Sequence, residues 1–170
     1  MRRVAIIGPG GAGKTILARK LGRRVGLPVV HLDRVFWRPG WVEPDRSEWE
    51  TAHRQALAGE AWIADGNFGS TMAERLGWAD TIVLLDPPPL LCLWRVAWRN
   101  LRWLGLRRDD LPAGCHERPS LAFWRYVLRY RKTRLLRVTE RIEAAGPGKR
   151  VIIVHSRSDV RRFLAEVGET

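Results

Sequence analysis

Cysteine is nearly missing from this 170-residue chain: Cys92 and Cys115 are its only two. They are too few for a disulfide framework and too far apart for a Cys-x-x-Cys metal pair, so ordinary thiols in a reducing cytoplasm are expected. Long apolar runs are missing too, because Asp86 and Arg95 interrupt the most hydrophobic stretch. None approaches the roughly 20 residues that a membrane helix needs, and neither a spanning segment nor a membrane partner is expected. The apolar run after Met1-Arg2-Arg3 is only Val4 to Ile7, shorter than a signal-peptide core, so export is not expected. Low-complexity tracts and internal repeats do not occur, which argues against disorder and repeat architectures.

What remains is a soluble globular composition, 45% hydrophobic and 28% charged, at a length that fits one domain over residues 1–170. Lysine is scarce: only four of the 30 basic residues are Lys, and the net charge of +12 is carried by Arg. Guanidinium forks bind phosphate bidentately, so this bias suits a nucleotide or nucleic acid, although a solvated basic face is the plainer alternative. Thirteen basic and four acidic residues lie between Arg95 and Arg141. Most of the excess therefore sits in one segment, which reads as a lid or groove for phosphates.

Short apolar runs at Val4–Ile7, Pro28–Leu32, Ala61–Ala64, Thr81–Leu85 and Arg150–Val154 read as buried strands. Helical stretches alternate with them: Thr15–Val25, Ser47–Leu57 with a Ser47/Glu50 capping box, a helix from about Leu90, and Asp159–Val167. This alternation predicts an α/β fold with a parallel sheet flanked by helices. Pro87-Pro88-Pro89 ends the fourth strand. Between the fourth and fifth strands lies a helical insert, 90–145, with a polar turn at 105–119 and a returning helix from Ser120 to about Ala145.

Gly8-Pro9-Gly10-Gly11-Ala12-Gly13-Lys14-Thr15 fits the phosphate-loop pattern at every fixed position, between a strand and a helix. Gly8, Gly10, Gly11, Ala12 and Gly13 would turn backbone N–H groups toward phosphates at a helix N-terminus, with Ile16 just beyond. Lys14 would reach the β- and γ-phosphates and the Thr15 hydroxyl would ligate Mg²⁺. The same glycines, with Asp33 twenty residues on, also spell the dinucleotide fingerprint. That fingerprint asks nothing of the two residues after its last glycine, whereas the phosphate loop requires the Lys-Thr that is present.

With Lys14-Thr15 in place, three more motifs carry a resemblance: His31-Leu32-Asp33, Trp37-Arg38-Pro39-Gly40-Trp41 and Asp65-Gly66-Asn67. The chain resembles the adenylate-kinase-related P-loop kinases, in particular the bacterial topology-modulation proteins, over nearly its whole length to Ser156-Arg157. The resemblance implies a P-loop NTPase fold with strand order 2-3-1-4-5 and an arginine-rich lid insert. It implies that Asp65 faces Mg²⁺ through water, and that Asp33, at the end of the second strand, orients or deprotonates an acceptor hydroxyl. As plain residues, both also make sense as turn or cap carboxylates. It further implies that Arg95 lies near the adenine and Arg99 on the phosphates, that Arg157 lies along the base, and that Arg38, Asn67, Arg125 and Arg129 belong to the lid or acceptor side.

Asn67 replaces the Phe-Pro-Arg continuation of adenylate kinases and Ile16 lacks a hydroxyl common after the Ser/Thr, so AMP is not the expected acceptor. Cys115 and His116 lack companions at ligand spacing, and no structural zinc is expected. Trp37, Trp41 and Trp49 surround the acceptor segment and could stack on a planar acceptor. The expected activity is Mg²⁺-dependent transfer of the γ-phosphoryl group of ATP to a small-molecule or nucleotide acceptor. The alternatives are a nucleotide-dependent DNA-binding regulator, with nucleic acid a secondary partner, or bare NTP hydrolysis.

Overall fold

The computed structural model describes residues 1–106 and 111–167. Part of the expected lid turn, 107–110, lies outside the described residues. Five parallel strands, β1 (Arg3–Ile7), β2 (Val29–His31), β3 (Trp62–Asp65), β4 (Thr81–Leu85) and β5 (Arg150–Val154), form one sheet in the order β2-β3-β1-β4-β5. β1 is central, with Ala5 level with Ala64 of β3 and with Ile82 of β4. β3 and β4 are buried throughout, as expected of strands covered on both faces. Alternate residues supply the two cores. Val4, Ile6, Ile63 and Val83 meet Leu17, Leu21 and Phe163, whereas Ala5, Ile7, Ala64 and Ile82 meet Leu76, Tyr130 and Ile142.

Helix α1 (Lys14–Val25) starts directly at the phosphate-loop lysine and ends at Gly26, whose φ of 69° favours glycine. β4 passes into α5 (Pro89–Arg102), where a proline in the first helical turn removes a donor that would be unpaired anyway. Among the described residues no helix is long and apolar enough to cross a membrane.

Several expectations need correction. The capping box of α3 (Arg46–Ala56) is built by Asp45 and Glu48, whose Oε2 accepts from the Asp45 N–H at 3.1 Å, and not by Ser47 and Glu50. Extended backbone at Asp45 puts the N-cap two residues before Ser47, and the helix itself starts at Arg46. Asp33 does not end β2; it lies in the first turn of a short helix, α2 (Leu32–Phe36). A further helix, α4 (Met72–Trp78), occupies a stretch not read as helical.

The returning helix of the insert is two helices, α6 (Leu121–Thr133) and α7 (Leu135–Ala144), broken at Arg134. No proline or glycine causes the break. Val127 of α6 packs with the Leu17 side of the sheet, whereas Tyr130, one turn later in the same helix, joins Val138 and Ile142 of α7 in the core on the opposite face. The last helix, α8 (Arg157–Val167), starts two residues before its expected position.

Candidate active site

The phosphate loop follows the carboxyl end of β1, where parallel α/β sheets place their ligand crevices. Gly8 has φ 145° and Gly11 φ 76°. A Cβ on Gly8 would strike the Leu85 carbonyl, and one on Gly11 the Cys92 carbonyl. The loop is thus wedged against the end of β4 and the start of α5. Lys14 folds back on it, its Nζ donating to the carbonyls of Gly8 at 2.9 Å and Pro9 at 3.0 Å. Burial lowers the Lys14 pKa, opposed by the nearby carboxylates Asp33 and Asp65, while Arg99 lowers it further. Four of the expected catalytic and metal-site groups therefore share one electrostatic neighbourhood.

Asp65 closes β3 and is 5% exposed. Its Oδ2 accepts from the Thr15 hydroxyl at 2.8 Å and its Oδ1 pairs with His31 Nδ1 at 2.5 Å. A hydroxyl and a carboxylate at this spacing are hard oxygen donors, and Mg²⁺ is commonly held by one or two protein oxygens with water and phosphate completing the shell. The residues present fit that ion. His31 fixes the carboxylate's orientation; its motif was legible, but not this partner.

Asn67 stands one turn beyond. Its Oδ1 accepts from the Gly8 N–H at 3.0 Å and its Nδ2 donates to the Gly8 carbonyl at 2.8 Å and to the Tyr126 hydroxyl at 3.3 Å. Its own carbonyl, with that of Gly66, accepts from Arg75 NH2 at 2.7 and 3.0 Å. Arg75 is fully buried and burial lowers its pKa to about 10. Sequence reasoning missed this cation, which organises the Asp65-Gly66-Asn67 turn from below.

Asp33 is half-buried; its charge opposes the burial that lowers the Lys14 pKa and adds to the burial that raises that of Tyr126. It sits in the first turn of α2. Beside it, Phe36, Trp37, Trp41, Trp49 and Phe68 form an aromatic wall with ring centroids 4.5–5.3 Å apart along successive pairs. Trp49 is core at 2% exposure, whereas Trp37 and Trp41 are half-buried. Trp41 takes φ 64°, unusual for a bulky residue, and its indole N–H donates to the His116 carbonyl at 2.9 Å. Gly40 N–H donates to Gly114, and Cys115 Sγ to the Arg38 carbonyl at 3.1 Å. The insert turn thus docks on the Trp37–Trp41 hairpin, and Arg38 turns outward to Glu48 at 2.6 Å.

The arginines divide. Arg95 NH1 reaches the Gly11 and Ala12 carbonyls at 3.4 and 3.5 Å. Arg99 binds Glu117 at 3.0 Å and lies 6.0 Å from the Phe123 ring centre. Glu117 is 4% exposed and also accepts from Asn100; as one of only four acidic residues in the basic segment, it was the residue there to ask about. Arg125 and Arg129 are exposed and do not turn inward. The face that α6 lays on the loop is Phe123 and Val127, and a Cβ on Gly10 would meet them at 2.5 and 3.1 Å. Ile16 is 63% exposed, and Arg157 is exposed at the start of α8, where Ser156 Oγ accepts from the Asp159 N–H at 3.2 Å. Two shallow depressions, one around Arg2, Arg3, Glu60 and Asp80 and one around Arg54 and Trp78, lie toward the amino ends of the strands, away from this chemistry.

Comparisons with known proteins agree with this fold. The isopentenyl transferase family model matches residues 1–76, which span the phosphate loop, Asp33 and Asp65. No curated protein matches the chain significantly. Among solved structures, a protein from Chloroflexus aurantiacus j-10-fl, provisionally designated a kinase, is similar at TM-score 0.59 and 19% identity, over 99% of this chain and 98% of that one. Shikimate kinase from Acinetobacter baumannii, solved with shikimate, is similar at TM-score 0.57 and 17% identity, over 98% and 90%. Shikimate kinase from Bacteroides thetaiotaomicron gives 0.54 and 18%, over 99% and 96%. Strand order, loop position and these likenesses together establish that the chain has the fold of the P-loop kinases.

Proposed function

We propose that the chain is a small-molecule kinase that moves the γ-phosphoryl group of ATP to an acceptor hydroxyl. The observation that carries this reading is the convergence of Lys14, Thr15, Asp33 and Asp65 at the carboxyl ends of β1, β2 and β3. Backbone N–H groups of Gly10 to Gly13 would cradle the phosphates, and Lys14 would exchange its two carbonyl partners for the more strongly charged phosphate oxygens. Thr15 and Asp65, the latter through water, would hold Mg²⁺, which when bound neutralises charge on the phosphate oxygens.

In the transfer, an acceptor oxygen forms the new bond to the γ-phosphorus, the bond to the β–γ bridging oxygen breaks, and ADP leaves. Asp33 takes the acceptor's proton. Arg95 and Arg99, with Arg38, Asn67, Arg125 and Arg129 on the lid and acceptor side and Arg157 near the base, remain proposed ligand contacts. The exposed position of Arg125 and Arg129 requires α6 to move for those two to act. Kinship with the topology-modulation proteins and a cytoplasmic location belong to the same proposal.

The isopentenyl transferase match lies within the phosphate-loop half, which does not choose the group transferred. The test starts with a thermal-shift panel of nucleosides, nucleotides and hydroxy acids in the presence of a non-hydrolysable ATP analogue, because a true acceptor stabilises the ternary state. With that acceptor, Asp33→Asn is expected to retain ATP affinity and lose ADP formation by roughly 10²-fold or more. Equal loss of binding and transfer would assign Asp33 to the loop scaffold instead.

A further inference from the structure

Helix α5 is apolar on two sides. Cys92 and Val96 face the core, and on the opposite side Leu90, Trp94, Trp98 and Leu101 are 74, 60, 55 and 68% exposed. The two indoles stack on each other in the open, 6.3 Å between centroids and 10° between planes. The stripe continues past the helix into Leu104 and Leu106, 57 and 56% exposed, and backbone pairing with Glu117 holds that tip in place. A contiguous exposed apolar patch of this kind marks an interaction surface.

The charge around the stripe narrows the occupant. Arg102, one turn after Trp98, is exposed, and arginines make up most of the thirteen basic residues that stand against four acidic ones between Arg95 and Arg141. A second copy would bring another +12 toward these arginines, and that repulsion opposes self-pairing. Single-stranded nucleic acid would stack on the two indoles but give Leu90, Leu101, Leu104 and Leu106 nothing to bury against. An anionic bilayer surface satisfies both parts: leucines and indoles enter the interface while the guanidinium groups meet the headgroups.

We propose that α5 and the tip that follows it lay the protein on the surface of an anionic lipid membrane, in the interfacial plane and without crossing it. This replaces the expectation that the chain has no membrane partner, and it stands independently of the kinase reading.

The experiment is sedimentation of the full chain with sucrose-loaded vesicles of phosphatidylcholine, with and without about one part in four of phosphatidylglycerol, at physiological ionic strength. Wild type should sediment with the anionic vesicles, with a blue shift in tryptophan emission. Trp94→Ser/Trp98→Ser and, separately, Leu101→Glu should lower that partitioning by about tenfold or more. Circular dichroism should be unchanged because these side chains are exposed. The proposal is overturned by any of four results: no binding to anionic vesicles, undiminished binding by both variants, a dimer in sedimentation velocity that the variants dissolve, or tryptophan-dependent capture of a single-stranded oligonucleotide without vesicle binding.

Discussion

His53 and Arg75 show how much a single residue can carry when the fold buries it. His53 is fully buried, stacked on Trp78 at 5.7 Å, with its Nε2 3.3 Å from Arg75 NH1. Burial, then the Arg75 cation, pushes its pKa down to about 4, and Glu74 only partly opposes them. Between pH 6.5 and about 4 the unfolded chain binds a proton that the folded chain refuses, so stability falls as pH falls through that window and levels below it. The loss is on the order of 2–3 kcal/mol. Urea midpoints measured across the window should fall more steeply in wild type than in His53→Gln; equal slopes would mean that His53 titrates freely in the native state.

Residues like these were not legible in the sequence. A cation satisfied by two backbone carbonyls, as Arg75 is by Gly66 and Asn67, needs no acidic residue at a telling spacing. The phosphate loop was legible because its function is written in glycines, a lysine and a hydroxyl at fixed separations. The i, i+4 spacing of Arg125 and Arg129 correctly put them on one helix face, but spacing cannot say which way that face turns.

Among the elements, β1, β3 and β4 were readable as short apolar runs because strands buried on both sides have little choice of residue. The edge strands β2 and β5 are less buried than the expectation of five buried strands had it, and were readable from their β-branched residues instead. Helices α2 and α4 were not, being only five and seven residues long and so too short to show a period. The break between α6 and α7 was hidden for another reason: each half is amphipathic, and no proline or glycine marks the junction at Arg134. The contact of α6 with the phosphate loop makes a test possible. Gly10→Ala should destabilise the protein by about 1–3 kcal/mol through overpacking against Phe123, and Phe123→Ala should recover most of that difference in a double-mutant cycle. Gly11→Ala should not be relieved in this way, because its neighbour is the Cys92 backbone carbonyl and its φ of 76° disfavours a side chain. Additive effects of the Gly10 and Phe123 changes in denaturant melts would show that α6 does not rest on the loop in solution.

On the scale of the whole molecule, the sheet gathers at one end the groups that the sequence scatters over residues 8 to 67, while the basic insert closes over them from the other half of the chain. Order 2-3-1-4-5 puts β1 between β3 and β4, so the phosphate loop is flanked by Asp65 on one side and α5 on the other. The central claim is that this loop binds a nucleoside triphosphate. Calorimetric titration of Lys14→Ala with ATP and Mg²⁺ tests it most directly, because Nζ points at loop carbonyls and not into an apolar core. The account predicts an unchanged circular dichroism spectrum and an ATP affinity weaker by about tenfold or more, the scale of one lost charge-assisted contact. A folded variant that binds ATP as tightly as wild type would contradict it.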